Sequence, residues 1–360
     1  MRPRLKTALR RVRRGRRAVQ FGLHPARAVV IGDLEEPLME LLGHLDGTLD
    51  LGQVIEQAAE LGVEEATVRR LVEFLTEGGV LEDASAPADP LRACLPGERD
   101  RLRMEIDAIA SRPGVTDGGM LTLARRRAAH VRVHGAGRVG AQIAALLAAA
   151  GVGHLCVVDP SPVTMLDVTP GGLRWDQLGR PREDAAVALA REAMPGINAW
   201  SGDGAAGPGD GPRPDLAIVC PVTPLDPARV RSLMSGGAPH LVVTALEDHA
   251  TVGPLVVPGE TACLRCLDLI RRDRDPAWAE VAARIGGHPP GEGVSGAALA
   301  AATAGLSAGQ ALAFLDGERP TVMNATVDVM PDWRWRRRSW SSHPQCGCSR
   351  NDPRSLTMVA

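Results

Sequence analysis

A strand, a glycine-rich turn, a helix and a second strand follow one another between residues 130 and 159, and this order most constrains the fold. The first strand is the run HVRVH, the turn GAGRVG carries Gly135, Gly137 and Gly140, and the second strand ends in Asp159. Glycines at this spacing allow a tight turn and let the backbone approach a phosphate at a helix N-terminus. The pattern predicts a Rossmann-type unit for a mononucleotide or dinucleotide, and it is equally compatible with such a unit that has lost its ligand.

The segments that follow extend this unit into an α/β domain. Residues 215–220 and 240–246 are apolar runs with the composition of buried parallel strands. Residues 183–193 form an amphipathic helix, and residues 320–340 alternate around a Pro-Asp turn as two antiparallel strands would. Residues 201–213 form a low-complexity loop rich in Gly, Pro and Asp. We therefore expect an α/β fold with a Rossmann-like domain.

A second, smaller module precedes this domain. Two short β-rich runs come first, three helical patterns follow, and Val80 with Leu81 is expected to close the sheet. The predicted strands are residues 18–23 and 27–32, and the predicted helices are residues 36–44, 51–61 and 64–77. This order predicts a winged-helix-like α+β domain, which an Ala/Pro-rich linker and a connecting helix join to the rest of the chain.

The basic residues are concentrated at the N-terminus. Residues 2–17 contain nine Lys and Arg and no acid, although the whole chain has a net charge of −2. A basic segment on an acidic body suggests an anionic partner, and it is also compatible with a solvated arm that has no dedicated ligand. A winged helix with a basic arm would suit DNA, but we regard nucleic acid as the weaker interpretation.

The sequence predicts a cytoplasmic protein without a membrane span. The basic start is not followed by the apolar stretch of a secretory signal. Residues 141–158 and 293–315 carry no formal charge and are long enough to span a bilayer. Because Ala and Gly dominate both segments, we interpret them as buried elements of a folded domain.

Four of the seven cysteines form two close pairs. Cys263 and Cys266 make a CxxC pair, and Cys346 and Cys348 make a CxC pair near the C-terminus. Two such pairs brought together by the fold would satisfy tetrahedral Zn²⁺ with four thiolates and leave no open position, as in a structural site. Four unligated cysteines remain the alternative, and His343 could replace one ligand.

These stretches together resemble a known family. Residues 130–350 are similar to the ThiF/E1-like superfamily, whose members adenylate a carboxyl terminus. More narrowly, CLRCLDLIRRDRDPAW (263–278) and HPQCGC (343–348) resemble E1-like partner proteins of cyclodehydratases, which act in pathways for ribosomal peptides with thiazole and oxazole rings. Residues 1–83 resemble a PqqD-like leader-peptide recognition element. The implied domains are residues 1–85, 86–112, 113–350 and 351–360.

The resemblance implies an ATP site that has lost several of its groups. Asp159 matches the acid that binds a nucleotide ribose, but Ser161 stands where a second Asp is usual, and Asp167 stands near an Asn position. Arg182 replaces a phosphate-binding Lys. Pro170-Gly171 replace an Arg-Gln pair, and Pro221-Val222-Thr223 stand where a metal-binding Asp is expected. We therefore predict no catalytic residue for adenylation and leave ATP binding open.

The resemblance implies a delivery role instead. The first module would bind the leader of a precursor peptide, and the E1-like body would dock a YcaO-type cyclodehydratase, with a homodimer suggested only by the relatives. Strand addition places the leader at an edge strand and against an apolar helix. The predicted peptide-binding residues are Ala28, Val29, Val30 and Ile31 on the edge, and Val68, Arg69, Leu71, Val72 and Leu75 on the third helix. Ordinary core packing is the alternative for the apolar helix residues.

Two other enzyme classes stay open at this point. An active adenylyltransferase with a rearranged site could use Arg174, Arg180 and Arg182 as its cations. A nicotinamide- or flavin-linked oxidoreductase would use the same glycine turn. Asp275, Pro276, Ala277 and Trp278 form a cluster to which the sequence assigns no role.

Overall fold

The computed structural model describes residues 1–87, 89–92, 94–202, 213–220, 225, 227–285 and 295–348. The chain divides into two compact units, Met1–Ala124 and Arg125–Ala360. Most of the predicted loop 201–213, the Pro221-Val222-Thr223 segment and the tail 351–360 lie outside the described residues. The domain boundaries implied by the resemblance stay predictions.

Among its described residues, the first unit contains two small sheets and five complete helices. The strands are β1 (Pro3–Leu5), β2 (Arg11–Arg13), β3 (Val19–Phe21), β4 (Val29–Ile31) and β5 (Leu81–Asp83). The helices are α1 (Glu36–His44), α2 (Leu51–Glu60), α3 (Glu65–Glu77), α4 (Asp89–Arg92) and α5 (Pro96–Ala110). One sheet has the order β2-β3-β4 and the other pairs β1 with β5. The three predicted helices are confirmed to within a residue at each end.

The basic N-terminal segment is folded into this unit and is not a free arm. It supplies β1 and β2, and the pairing of β1 with β5 places Arg4 Nε 2.7 Å from Glu82 Oε1. Lys6 is buried, and its Nζ donates to the Arg112 carbonyl at 3.0 Å. The expectation that the chain around Leu81 would close the β3–β4 sheet is wrong, because β1 takes that pairing.

The second unit is an α/β domain, as predicted. The helices are α6 (Met120–Ala128, across the boundary of the units), α7 (Gly140–Ala149), α8 (Arg182–Ala193), α9 (Pro227–Ser235), α10 (Leu264–Arg274), α11 (Trp278–Ile285) and α12 (Ala297–Leu315). The strands are β6 (His130–His134), β7 (His154–Val158), β8 (Asn198–Ser201), β9 (Leu216–Val219), β10 (His240–Leu246), β11 (His249–Val256), β12 (Ala325–Val329) and β13 (Trp335–Ser339). Two short 3₁₀ helices, Met165–Asp167 and Trp175–Gln177, lie between β7 and α8.

The eight strands form one sheet in the order β13-β12-β11-β10-β9-β6-β7-β8. Strands β10, β9, β6, β7 and β8 run parallel, and β11, β12 and β13 add an antiparallel edge. The carboxyl ends of β6, β7 and β9 therefore meet at one edge of the sheet, where nucleotides bind in folds of this type.

Helix α12 is long and apolar enough to cross a membrane by length and composition, and 39% of an 18-residue stretch of it is buried inside the protein. One of its faces packs into the domain through Leu299, Thr303 and Ser307. A buried ion pair holds its C-terminal end, because Arg126 Nε and Nη2 each lie 2.7 Å from an oxygen of Asp316. The burial of this face agrees with the prediction that the segment is a helix of a folded domain.

Candidate functional site

The glycine turn between β6 and α7 is held by its own packing. Gly135 has a positive φ of 87°, and a Cβ at this position would overlap the carbonyl oxygen of Cys220. A Cβ at Gly140 would overlap the carbonyl oxygen of Gly135. At Gly137 the nearest atom to an added Cβ is Asp167 Oδ1 at 3.5 Å, which is an ordinary contact. Two of the three predicted glycines are therefore required by the fold itself.

The carboxylate of Asp159 closes this turn. It is buried, its Oδ2 accepts the Ala136 N–H at 2.8 Å, and its Oδ1 accepts the Ser161 N–H at 3.2 Å. Ser161, at the position where the ThiF/E1-like family usually has a second Asp, therefore donates its backbone N–H to Asp159. The oxygens predicted to bind a ribose are engaged within the chain.

Arg182 lies between two acidic side chains beside the turn. Its Nε and Nη2 donate to Asp167 Oδ2 at 3.0 and 2.8 Å, and its Nη1 lies 3.7 Å from Asp159 Oδ2. The same Asp167 oxygen accepts the N–H and the hydroxyl of Thr164, each at 2.8 Å. Two carboxylates face this one guanidinium, so the positive charge that Arg182 could offer a triphosphate is already neutralised.

His134 ends β6 and Cys220 follows β9 at this edge, and both are uncharged at pH 7. Burial, with the charges of Arg229 and Arg132, lowers the pKa of His134 to about 3, so its ring is uncharged at pH 7. Burial raises the pKa of the Cys220 thiol to about 12. Arg174 donates to Glu192 at 2.6 Å and to Asp176 at 3.1 Å on the surface. Neither His134 nor Cys220 offers a charge to a phosphate.

The four predicted cysteines come together at the N-terminus of α10. The Sγ atoms of Cys263 and Cys266 lie 3.9 Å apart, and Cys263–Cys346 and Cys266–Cys348 are each separated by 3.4 Å. All four Sγ atoms lie within 4.8 Å of one another. Tetrahedral Zn²⁺ with Zn–S bonds of about 2.3 Å places its sulfurs roughly 3.8 Å apart. The cluster therefore fits a metal ion held by four thiolates.

His343 contributes its backbone and not its ring. Its N–H donates to Cys266 Sγ at 3.3 Å, which is a favourable contact for a metal-bound thiolate. The ring is engaged elsewhere, since Nε2 lies 2.8 Å from Asp273 Oδ2 and Nδ1 accepts the Gln345 N–H at 3.2 Å. The structure thus favours four cysteines over the alternative with a histidine ligand.

The cluster at residues 275–278 forms the turn between α10 and α11. Asp275 Oδ1 accepts the Ala277 N–H at 3.0 Å, and Trp278 Nε1 donates to Asp268 at 2.9 Å. The Arg271 guanidinium lies 5.0 Å from the Trp278 ring and 5.5 Å from the Trp340 ring. Sequence reasoning missed Arg271, which links this turn to the end of β13 beside the cysteines.

The predicted edge strand lies at an edge of its sheet. Within the described part of the chain, β4 pairs with β3 alone, and Val30 lies opposite Gln20. The Arg14 N–H donates to the Ala18 carbonyl and the Gly22 N–H donates to the Arg10 carbonyl. Because backbone groups of an antiparallel strand point alternately to its two neighbours, the N–H and C=O of Gln20 point toward β2. The N–H and C=O of Val30 therefore point away from the sheet, toward the open edge.

The predicted helix residues have a different environment. Val68, Leu71, Val72 and Leu75 are all buried in the core of the first unit, and Arg69 Nε pairs with Glu65 at 2.7 Å. Phe74, which the prediction missed, is 48% exposed on the same helix. A Cβ at Gly78 would lie 3.3 Å from Val29 Cγ1, so the end of α3 lies against β4. Phe74 could have been identified from the sequence, because it is an apolar residue that lies outside the predicted buried stripe of this helix.

Comparisons with known proteins agree with this architecture. The model of the ThiF family matches residues 114–349. A crystal structure of E. coli MccB with succinimide is similar over 98% of this chain and 100% of its own, with a TM-score of 0.75 and 17% identity. E. coli MccB with ATP has a TM-score of 0.71 and 18% identity, over 97% and 99% of the two chains.

Two further structures extend the comparison. The microcin C7 biosynthetic enzyme MccB in complex with N-formylated MccA has a TM-score of 0.71 and 17% identity, over 97% and 100% of the chains. A structure of PaaA has a TM-score of 0.70 and 17% identity, over 94% and 100%. No curated protein sequence matches the chain. The glycine turn, the mostly parallel sheet and the family match over residues 114–349 show that this chain belongs to the ThiF family.

Proposed function

We propose that this chain is a peptide-delivery subunit of a cytoplasmic pathway that modifies ribosomal peptides. It binds the leader of a precursor peptide, delivers the peptide to a YcaO-type enzyme and activates that enzyme, which uses ATP to form azoline rings. The observation that carries the proposal is the open edge of β4 in the first unit. The ThiF domain follows this unit in the chain, and its Arg182 is paired with Asp167.

Leader binding follows from the chemistry of the β4 edge. An extended peptide pairs with the outward N–H and C=O of Val30, and its alternate side chains reach Val29 and the exposed ring of Phe74. Arg69 and Arg70, in the second turn of α3, attract an acidic leader and raise the rate at which it associates with the protein. E. coli MccB has been solved with MccA, which supports a peptide as the ligand of a chain with this fold.

Loss of adenylation follows from the charges around Arg182. Attack on an α-phosphate needs cationic groups to stabilise the charge that develops on it. Here the guanidinium that would meet the phosphates is already paired with Asp167 and lies near Asp159. Adenylation is the alternative function, because E. coli MccB, which has a similar fold, has been solved with ATP. ATP–pyrophosphate exchange by the purified chain with a peptide would support this alternative.

Zn²⁺ bound by Cys263, Cys266, Cys346 and Cys348 would have a structural role. Four thiolates leave no position for water or substrate, so the ion supplies no Lewis acid to a reaction. It would tie the segment after β13 to the start of α10 across 80 positions of sequence. A homodimer is part of the proposal only by analogy with E1-like relatives.

Affinity capture from lysate of the source cells tests the function. Tagged protein is compared with Val30→Pro, which removes one outward N–H, and with Val30→Ala, which keeps it. We expect the wild type and Val30→Ala to retain a short ribosomal peptide and a YcaO-type enzyme, and Val30→Pro to retain the enzyme alone. Peptide capture by Val30→Pro would exclude the β4 edge, and capture of neither ligand by the wild type would contradict the delivery role.

A further inference from the structure

The hairpin of β12 and β13 presents an exposed segment of tryptophan and arginine. The chain has six Trp, three Phe and no Tyr, yet Trp333 and Trp335 are each 54% exposed. All five residues of β13 are exposed. Because Trp and Arg are the side chains most enriched among residues that dominate binding energy, their exposure together in an aromatic-poor chain indicates an interaction surface.

The charges of this segment are only partly compensated. Arg334 Nε lies 2.7 Å from Asp332, and Arg338 Nε lies 2.7 Å from Asp328. Arg337 donates to the Thr321 carbonyl at 3.0 Å. Among the described residues, Arg336 and Arg337 have no carboxylate within ion-pair distance. The outer surface of the hairpin is therefore basic.

The backbone edge of β13 is open as well. The Met330 N–H donates to the Arg334 carbonyl at 3.0 Å, and the Trp340 N–H donates to the Asn324 carbonyl at 2.8 Å. These two bonds determine which residues of β13 direct their N–H and C=O groups toward β12. The N–H and C=O groups of Trp335, Arg337 and Ser339 consequently point away from β12. In the part of the chain that the structure describes, β13 pairs with β12 alone.

Two kinds of occupant fit this edge poorly. A second copy in antiparallel pairing about Arg337 would place arginine opposite arginine, which is destabilising. Single-stranded nucleic acid stacks successive bases across the face of several strands, but β12 is buried at all five residues, so β13 alone would have to provide that face. An edge of this kind accepts a polypeptide strand.

We propose that β13 binds an acidic, extended segment of a partner polypeptide by strand addition. Carboxylates on one face of that segment meet Arg336 and Arg338, and apolar side chains on its other face pack on Trp335 and the stem of Arg337. This proposal goes beyond leader binding, because β13 belongs to the ThiF domain and β4 to the first unit. It provides the chain with an attachment site for an acidic protein, and it holds whether or not β4 binds a leader.

Fluorescence anisotropy with the full-length protein tests this inference. The probe is a fluorescein-labelled peptide of alternating Glu and Val, and a second probe of the same charge has Pro in place of its central Val residues. We expect the first peptide to bind and the second to bind at least about tenfold more weakly, because it lacks ladder donors. We expect Arg336→Glu combined with Arg337→Glu to weaken the first peptide by a similar factor.

Two matched comparisons separate charge from backbone pairing. Arg337→Pro removes an outward N–H that Arg337→Ala keeps, so Arg337→Pro should bind the Glu/Val peptide more weakly than Arg337→Ala. Arg284→Glu changes an exposed arginine on α11 and should leave the affinity unchanged. Melting temperatures of all variants show that they are folded. Equal binding of the two peptides, no binding of either, or tighter binding of a labelled oligouridylate would each overturn the proposal.

Discussion

The substitution Asp167→Asn tests whether Asp167 keeps this ThiF domain from binding ATP. Asp167 holds Arg182 through contacts of 2.8 and 3.0 Å and accepts two further bonds from Thr164. An Asn side chain retains an oxygen for Thr164 but no longer neutralises the guanidinium. The summed charge of Asp159, Asp167 and Arg182 then changes from net negative to neutral, and Arg182 becomes available to a phosphate.

The size of the effect follows from Coulomb's law. A phosphate charge roughly 6 Å from Asp167 is repelled by about 3 kcal/mol at an effective dielectric constant of about 20. Removing that repulsion would raise affinity by about a hundredfold if nothing else changed. Because Arg182 also loses the contact that fixes its position, we expect a gain of at least about tenfold in ATP affinity.

Isothermal titration of ATP into wild type, Asp167→Asn and Asp176→Asn measures this gain. Asp176 is an exposed acid that pairs with Arg174, so its neutralisation controls for overall charge. We expect measurable binding for Asp167→Asn and the wild-type result for Asp176→Asn. If the wild type binds ATP tightly, or if Asp167→Asn gains nothing while keeping its melting temperature, the argument that Asp167 closes the site is wrong.

Three further predictions concern stability and metal content. Cys346→Ser should lower the zinc content measured by plasma mass spectrometry and lower the melting temperature, whereas Cys94→Ser should retain full zinc. Asp316→Ala leaves Arg126 buried without its carboxylate and should cost about 3–5 kcal/mol in urea unfolding. Because the pKa of His134 falls to about 3 in the folded protein from 6.5, the unfolded chain binds the extra proton, so stability is lost as pH falls from 6.5 toward 3. His134→Asn should reduce that loss in urea midpoints measured against pH.

The parts of the fold that depend on local pattern were predictable from the sequence. The stripe on α3, the turn around Pro331 and the strand–glycine–helix order at β6 and α7 each occupy a short window whose periodicity or turn chemistry determines the structure. The cysteine cluster was also predictable, since CxxC and CxC restrict the geometry of a tetrahedral site before the fold is known.

Contacts between distant segments were not predictable in the same way. The pairing of β1 with β5 joins Arg4 to Glu82, and the choice of this partner depends on packing that no window of sequence contains. The contact of Arg182 with Asp167 depends on the path of the chain through two 3₁₀ helices. The sequence showed that these residues differ from the family pattern, and only the structure showed that the two replacements pair with each other.

The fold itself requires part of the glycine turn, whether or not the turn binds a phosphate. Gly135 and Gly140 are required by contacts with Cys220 and with each other, whereas an added Cβ at Gly137 meets ordinary contact distances and needs no positive φ. We therefore expect Gly137→Ala to change stability by no more than about 0.5 kcal/mol, and Gly135→Ala to cost more than about 2 kcal/mol. Gly137→Ala should also leave peptide capture unchanged, because delivery does not need backbone to approach a phosphate. Urea unfolding and the capture assay check both results, and a loss of peptide capture in a stable Gly137→Ala protein would show that the turn still binds a ligand that delivery requires.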